Sequence, residues 1–96
     1  MQTKQLANFV LNLSYSDLPA AAVTMAKLCI EDLLGVALAG AVTSQGKIWR
    51  THFHHFPQEG VVPAWEPGFP LLSYQNSAAL NAAYSHLLDM DDVHNA

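Results

Sequence analysis

The chain has 96 residues, a formal net charge of −4, 51% apolar residues and only four basic side chains, Lys4, Lys27, Lys47 and Arg50. That length bounds it to one small domain, and the apolar, weakly charged composition excludes a disordered segment. No basic patch exists to bind nucleic acid, and Cys29, the only cysteine, cannot form an intrachain disulfide, which fits a reducing compartment.

The first ten residues are too polar for a secretory signal. The longest apolar run, Leu33 to Val42, is about half the length of a membrane span and is interrupted by Gly35 and Gly40, so it reads as a buried core helix. The expectation is a cytoplasmic protein without a membrane partner.

Leu6, Phe9, Val10 and Leu13 repeat at helical spacing and predict a first helix over Thr3 to Leu13. Asn12, Ser14, Tyr15 and Ser16 form a polar connection. Ser16 or Asp17 is expected to cap the next helix, with Pro19 in its first turn. That second helix should reach about Ala39 on a stripe of Val23, Ala26, Ile30, Leu33, Ala37 and Leu38. From Leu33 onward it is apolar all round, which predicts a central position. Gly35 would allow close helix approach and Gly40 would serve as the residue after the C-cap.

Thr43 or Ser44 can cap a third helix whose aromatic face (Ile48, Trp49, His52, Phe53, Phe56) reads as core packing, with Pro57 as its stop. Gln58 to Leu72, with three prolines and two glycines, reads as a connector with a short extended piece at Val61-Val62. Asn76 or Ser77 is expected to cap the last helix. Four helices and no convincing strand predict an all-α fold.

The final stretch, Asn81-Ala-Ala-Tyr-Ser-His-Leu-Leu-Asp-Met-Asp-Asp-Val-His94, gathers most of the chemistry. On a helix, Leu80, Ala83, Tyr84 and Leu87 share an apolar face. Asn81, Ser85 and Asp89 align on another, Asp92 extends that line, and His86 sits one turn before Asp89. Asp91 would turn toward the apolar side, so either the helix ends near Met90 or a carboxylate is half-buried. Three acids at a helix C-terminus also oppose the macrodipole. Clustered carboxylates raise one another's pKa, and a carboxylate beside an imidazole suits general acid–base chemistry.

This run resembles the motif of the MmgE/PrpD family, Asn-Gly-x-x-x-His-x-x-Asp-x-Asp-Asp-x-His. The opening is similar as well, through Leu6-Ala-Asn-Phe-Val10, Tyr15-Ser-Asp-Leu-Pro19, Ala26-Lys27 and Asp32-Leu-Leu-Gly-Val-Ala-Leu-Ala-Gly-Ala41. Ala82 replaces the usual Gly after Asn81. The family includes 2-methylcitrate dehydratase, cis-aconitate decarboxylase and iminodisuccinate epimerase. The resemblance implies residues 1–96 as the N-terminal piece of a larger all-helical domain, homodimers, no required metal and no cofactor. It further implies proton removal or delivery next to a carboxylate on a small polycarboxylic acid. Asp89 would be the catalytic acid or base, with Asp91, Asp92 and His94 completing the catalytic motif and Asn81 and His86 binding substrate. Family members are several times longer, and their catalytic lysines, their other histidines and one histidine just downstream of the motif lie in segments this chain lacks. The piece alone is expected to be inactive.

Blander readings stand beside this one. A polar helix face ending in acids is commonly a solvated face. No cation follows Arg50, so the anion-binding part of a polycarboxylate site is absent from the motif. A non-catalytic helical piece that self-associates or packs on a partner is the alternative. His52, His54 and His55 with His86 and His94 invite a metal reading, but neither a His-Glu-x-x-His motif nor Cys/His spacing is present. No metal site is expected, and mid-helix Cys29 lacks a neighbouring base.

Overall fold

The computed structural model describes residues 1–56 and 60–90, which form four α-helices: α1 (Gln2–Asn12), α2 (Ala20–Ala41), α3 (Ser44–His54) and α4 (Tyr74–His86). The fold is all-α, as the periodicity implies. Among the described residues the only β-type pairing is an isolated antiparallel bridge between Val62 and Leu72, whose N–H and carbonyl groups exchange bonds of 3.1 and 2.9 Å. This places the extended piece where the sequence suggested. The expected stop at Pro57 lies outside the described residues.

α1 forms on its apolar stripe but buries none of it, and it packs against no other helix. The connection that follows differs from expectation. Asp17 does not cap α2. Its Oδ2 accepts from the Ser14 N–H at 2.9 Å and from the Ser14 hydroxyl at 2.7 Å, closing a short 3-10 helix over Tyr15–Asp17. Ser16 is engaged with the Ser14 hydroxyl at 2.9 Å. Pro19 is left as the N-cap of α2, without a side-chain cap bond, and its carbonyl accepts from Ala22 and Val23. The local Ser14–Asp17 bonds win because they span three residues and cost little chain entropy.

α2 continues past Ala39, so Gly40 lies inside the helix rather than after its C-cap. Thr43 closes α2 and opens α3 at once. Its hydroxyl donates to the Gly40 carbonyl at 2.6 Å and accepts from the Gly46 N–H at 3.0 Å. This dual use satisfies one orphan group at each helix end.

The buried residues of α2 are Val36, Ala37, Gly40 and Ala41, all in its last six positions. There α3 and α4 pack on it. A Cβ on Gly40 would overlap the Tyr84 backbone carbonyl, whereas a Cβ on Gly35 would meet nothing within 4 Å. The close approach expected at Gly35 therefore occurs five residues later. The core joins Ala37 and Ala41 to Phe53, Ala64, Leu72, Leu80 and Tyr84, with Phe69 and Leu87 against it. Full burial of a Leu such as Leu72 or Leu80 contributes about 1.5–3 kcal/mol.

The aromatic face of α3 is only partly core. Phe53 is buried, with the Trp49 ring stacked at 6.2 Å, but Trp49, Phe56 and above all Ile48 stay exposed. α4 starts before its expected cap. Ser73 is the cap and accepts from the Asn76 N–H at 3.1 Å, while Ser77 is buried one turn on. The apolar face of α4 is as predicted: Leu80 and Tyr84 are fully buried, and Ala83 and Leu87 partly so.

Two measurements check this packing. Gly35→Ala should stabilise the chain by about 0.5–1 kcal/mol through helix propensity, and Gly40→Ala should destabilise it by about 1–3 kcal/mol through overpacking. Urea denaturation of the two variants tests the opposite signs. The Ser14 N–H and hydroxyl hold the Asp17 carboxyl below its ordinary 3.8. The resulting stabilisation is present above that ordinary value and is lost as pH falls through the lowered one. An NMR titration should place the Asp17 midpoint below 3.8, and Ser14→Ala should raise it.

Candidate functional site

The site is built on one side of α4. Ser77, Asn81 and Tyr84, at i, i+4 and i+7, point from the helix toward the connector. The Ser77 hydroxyl donates to the Pro63 carbonyl at 2.9 Å. The Asn81 Oδ1 accepts from the Trp65 N–H at 2.9 Å. The Tyr84 hydroxyl donates to Glu66 Oε2 at 2.7 Å, and Glu66 in turn pairs with Arg50 of α3. These three side chains are buried, and each satisfies a group that would otherwise be costly to cover. Burial pushes the Tyr84 hydroxyl above its ordinary pKa, against the opposing pull of Arg50.

The connector held in this way becomes a wall. Trp65, Leu33 of α2, and Ala78, Asn81, Ala82, Ser85 and His86 of α4 line an open cleft of about 500 Å³. The Ser85 hydroxyl donates to the Asn81 carbonyl at 2.7 Å, and Ser85 lines the cleft. Asn81 holds the wall through Oδ1, and its Nδ2 reaches the Ser77 hydroxyl at 3.5 Å. Ala82 therefore places a methyl group in the cleft lining. The lining offers amide, hydroxyl and imidazole groups over an apolar floor, and it contains no carboxylate and no permanent cation.

The structure brings together Asn81 and His86 of the expected site. Asp89 stands apart from both in conformation. α4 ends at His86, so the helical line from Asn81 through Ser85 stops before it reaches Asp89. The Asp89 N–H donates to the His86 carbonyl at 3.0 Å, and its φ is +51°. It is the only non-glycine residue with positive φ among those described. Such a turn commonly carries Gly, and a side chain there costs backbone energy. The helix thus ends before the acids begin, and His86, not an acid, occupies its last turn, in keeping with the macrodipole. Asp91, Asp92 and His94 lie outside the described residues.

Sequence reasoning missed Trp65, Ser77 and Leu33 as parts of this site, and Arg50–Glu66–Tyr84 as its brace. Arg50 carried a usable signal: it is the only arginine, and it follows Trp49 on a helix otherwise read as core. A cation in that setting calls for an acid, and Glu66 is half-buried. Among the described residues no three histidines converge. His52 packs its ring against Phe53 and Phe56, each at 5.2 Å, and His54 packs on Phe69 at 4.7 Å. Among the described residues no group of three or more His, Cys, Asp or Glu is placed to hold a metal ion, and no helix is long and apolar enough to cross a membrane.

No curated protein and no solved structure matches the chain. The family model for the MmgE/PrpD N-terminal domain matches residues 4–96. That span takes in α1, the long α2 with its small-residue end, the cleft on α4 and the acidic run after it. With nearly its whole length matched, the chain belongs to the MmgE/PrpD family.

Proposed function

We propose that this chain supplies the acid–base end of a site in a lyase or isomerase, one that moves a proton at a carbon next to a carboxylate on a small polycarboxylic acid. The observation that carries the reading is Asp89. It is held in the left-handed region one step beyond a cleft-bearing helix, and its N–H is tied to the carbonyl of His86, which lines that cleft. Positive φ is uncommon outside glycine, aspartate being among the side chains that adopt it, and such positions cluster at functional sites.

In this reading the Asp89 carboxylate takes the proton from carbon or returns it, and His86 and Asn81 hydrogen-bond the substrate carboxylate. Asp91, Asp92 and His94, which lie outside the described residues, complete the catalytic motif. Dehydration, decarboxylation and epimerisation all share this proton step. The polyanion's charge has to be met from beyond the cleft lining, which holds no permanent cation. That same feature favours a second reading, in which the chain is a non-catalytic helical piece.

Exchange of solvent deuterium into the carbon next to a carboxylate reports the shared step. Followed by NMR in a full-length family enzyme that carries this segment, on hydroxy-tricarboxylate, unsaturated tricarboxylate and aminated dicarboxylate substrates, it should appear with one of the three. Asp89→Asn should lower its rate by about 10²–10⁴-fold. Asp89→Gly should abolish it while leaving stability unchanged or raising it by up to about 1 kcal/mol. Exchange that survives Asp89→Asn would remove the acid–base role. Absence of exchange with all three substrate classes supports the non-catalytic reading.

A further inference from the structure

Trp65 carries the connector into the cleft lining, and the backbone around it is tied down on both sides. Ahead of it, Ala64 is buried in the core. Its own N–H donates to Asn81 Oδ1 at 2.9 Å. Behind it the chain turns tightly. The Phe69 N–H donates to the Glu66 carbonyl at 3.3 Å, with Pro67 and Gly68 between them and Gly68 at φ +80°. Proline followed by a left-handed glycine at the two central positions is the type II pattern, which fixes the path leaving Glu66. The Trp65 side chain itself stays 40% exposed. A residue anchored through its backbone and open at its ring is built to present that ring.

Glu66 closes the frame. Its Oε2 accepts from the Tyr84 hydroxyl at 2.7 Å, and its Oε1 pairs with Arg50. With one oxygen given to each partner, the carboxylate holds the loop and is no free acid or base. Its side chain is only 14% exposed, so loss of either partner would leave its charge poorly compensated. The frame is also referenced to the cleft floor. Asn81 and Tyr84 lie on α4, the helix whose Ala78, Ala82 and Ser85 line the cleft. Movement of Trp65 against that floor requires these bonds to break.

We infer that Glu66 is a positioning residue for the cleft: its two bonds fix Trp65 as the wall against which substrate binds, and so set affinity rather than the rate of the proton step. The inference rests on the cleft being the substrate site of the proposed lyase or isomerase, and not on the role of Asp89. A wall fixed before binding spares the cost of ordering it in the complex. A wall that meets substrate equally in the ground and transition states changes binding and not turnover.

The test uses a full-length family enzyme that carries this segment, labelled with fluorotryptophan. The Trp65 line in its fluorine NMR spectrum is assigned by its loss in Trp65→Phe. A hydroxy-tricarboxylate, an unsaturated tricarboxylate and an aminated dicarboxylate are each titrated against that line. One of them should shift it, and the dissociation constant read from the shift should rise about tenfold in Glu66→Gln. Tyr84→Phe, which removes only a hydroxyl and serves where Glu66→Gln does not fold, should raise it about threefold. Deuterium exchange at saturating substrate should stay within about threefold of wild type in both variants. By calorimetry, Trp65→Ala should weaken binding, and adding Glu66→Gln should weaken it no further, because Glu66 acts through Trp65. A Trp65 line that none of the three compounds shifts overturns the inference. So does a Glu66→Gln variant with unchanged affinity, with affinity and saturated rate falling together, or with an effect that adds in full to that of Trp65→Ala. A line that shifts without any deuterium exchange upholds the inference and removes the acid–base reading instead.

Discussion

Where α2 crosses α4, Gly40 presents bare backbone to the Tyr84 carbonyl, and the two helices sit at a separation no side chain would permit. The other features of the folded half follow from that approach. It buries Ala37 and Ala41 against Leu80 and Tyr84, and it fixes the rotation of α4 about its own axis. With Leu80 and Tyr84 inward, helical geometry turns Ser77 and Asn81 toward the connector and Ala78, Ala82 and Ser85 toward the cleft. A contact between two backbones therefore decides which chemistry α4 shows to a ligand.

The connector would not hold itself. It is rich in proline and glycine, and among the described residues its only ladder pairing is the Val62–Leu72 bridge. Its remaining order comes from α4, which spends Ser77, Asn81 and Tyr84 on it. Each of these bonds is modest in net terms, about 1 kcal/mol, but leaving a buried partner unmade costs more. The Arg50–Glu66 pair adds a tie to α3, so α3 and α4 meet at one acidic side chain of the loop. Trp65 stands next to Glu66 and inherits that rigidity, which is why a loop residue can serve as a fixed wall of the cleft.

The helices were legible in the sequence because their apolar residues repeat at the helical period. The apolar face of α4 and the cap at Thr43 were legible for the same local reason. The failures share a cause too. Asp17, Gly40 and Asn76 all carry local preferences for caps or ends, and in each case a competing contact decided. Ser14 captured Asp17, the Thr43 hydroxyl closed α2 beyond Gly40, and Ser73 capped α4 before Asn76. Which glycine marks the helix crossing could not be read from α2 alone, since Gly35 and Gly40 look alike until α4 is in place. The roles of Ser77 and Trp65 depend on contacts 14 and 16 residues apart in sequence, which no local pattern encodes.

The site shows a division of labour that follows from helix electrostatics. A run of acids continuing α4 would have set like charges against the negative end of the dipole. The chain avoids this by stopping the helix at His86 and turning sharply at Asp89. The imidazole sits in the last turn, and the carboxylate is carried beyond it on a left-handed residue. Scaffold and acid are thereby decoupled: α4 can be optimised for packing against Gly40, while the orientation of Asp89 is set by a single backbone bond to His86. The first acid of the motif, Asp89, thus stands where α4 has already ended.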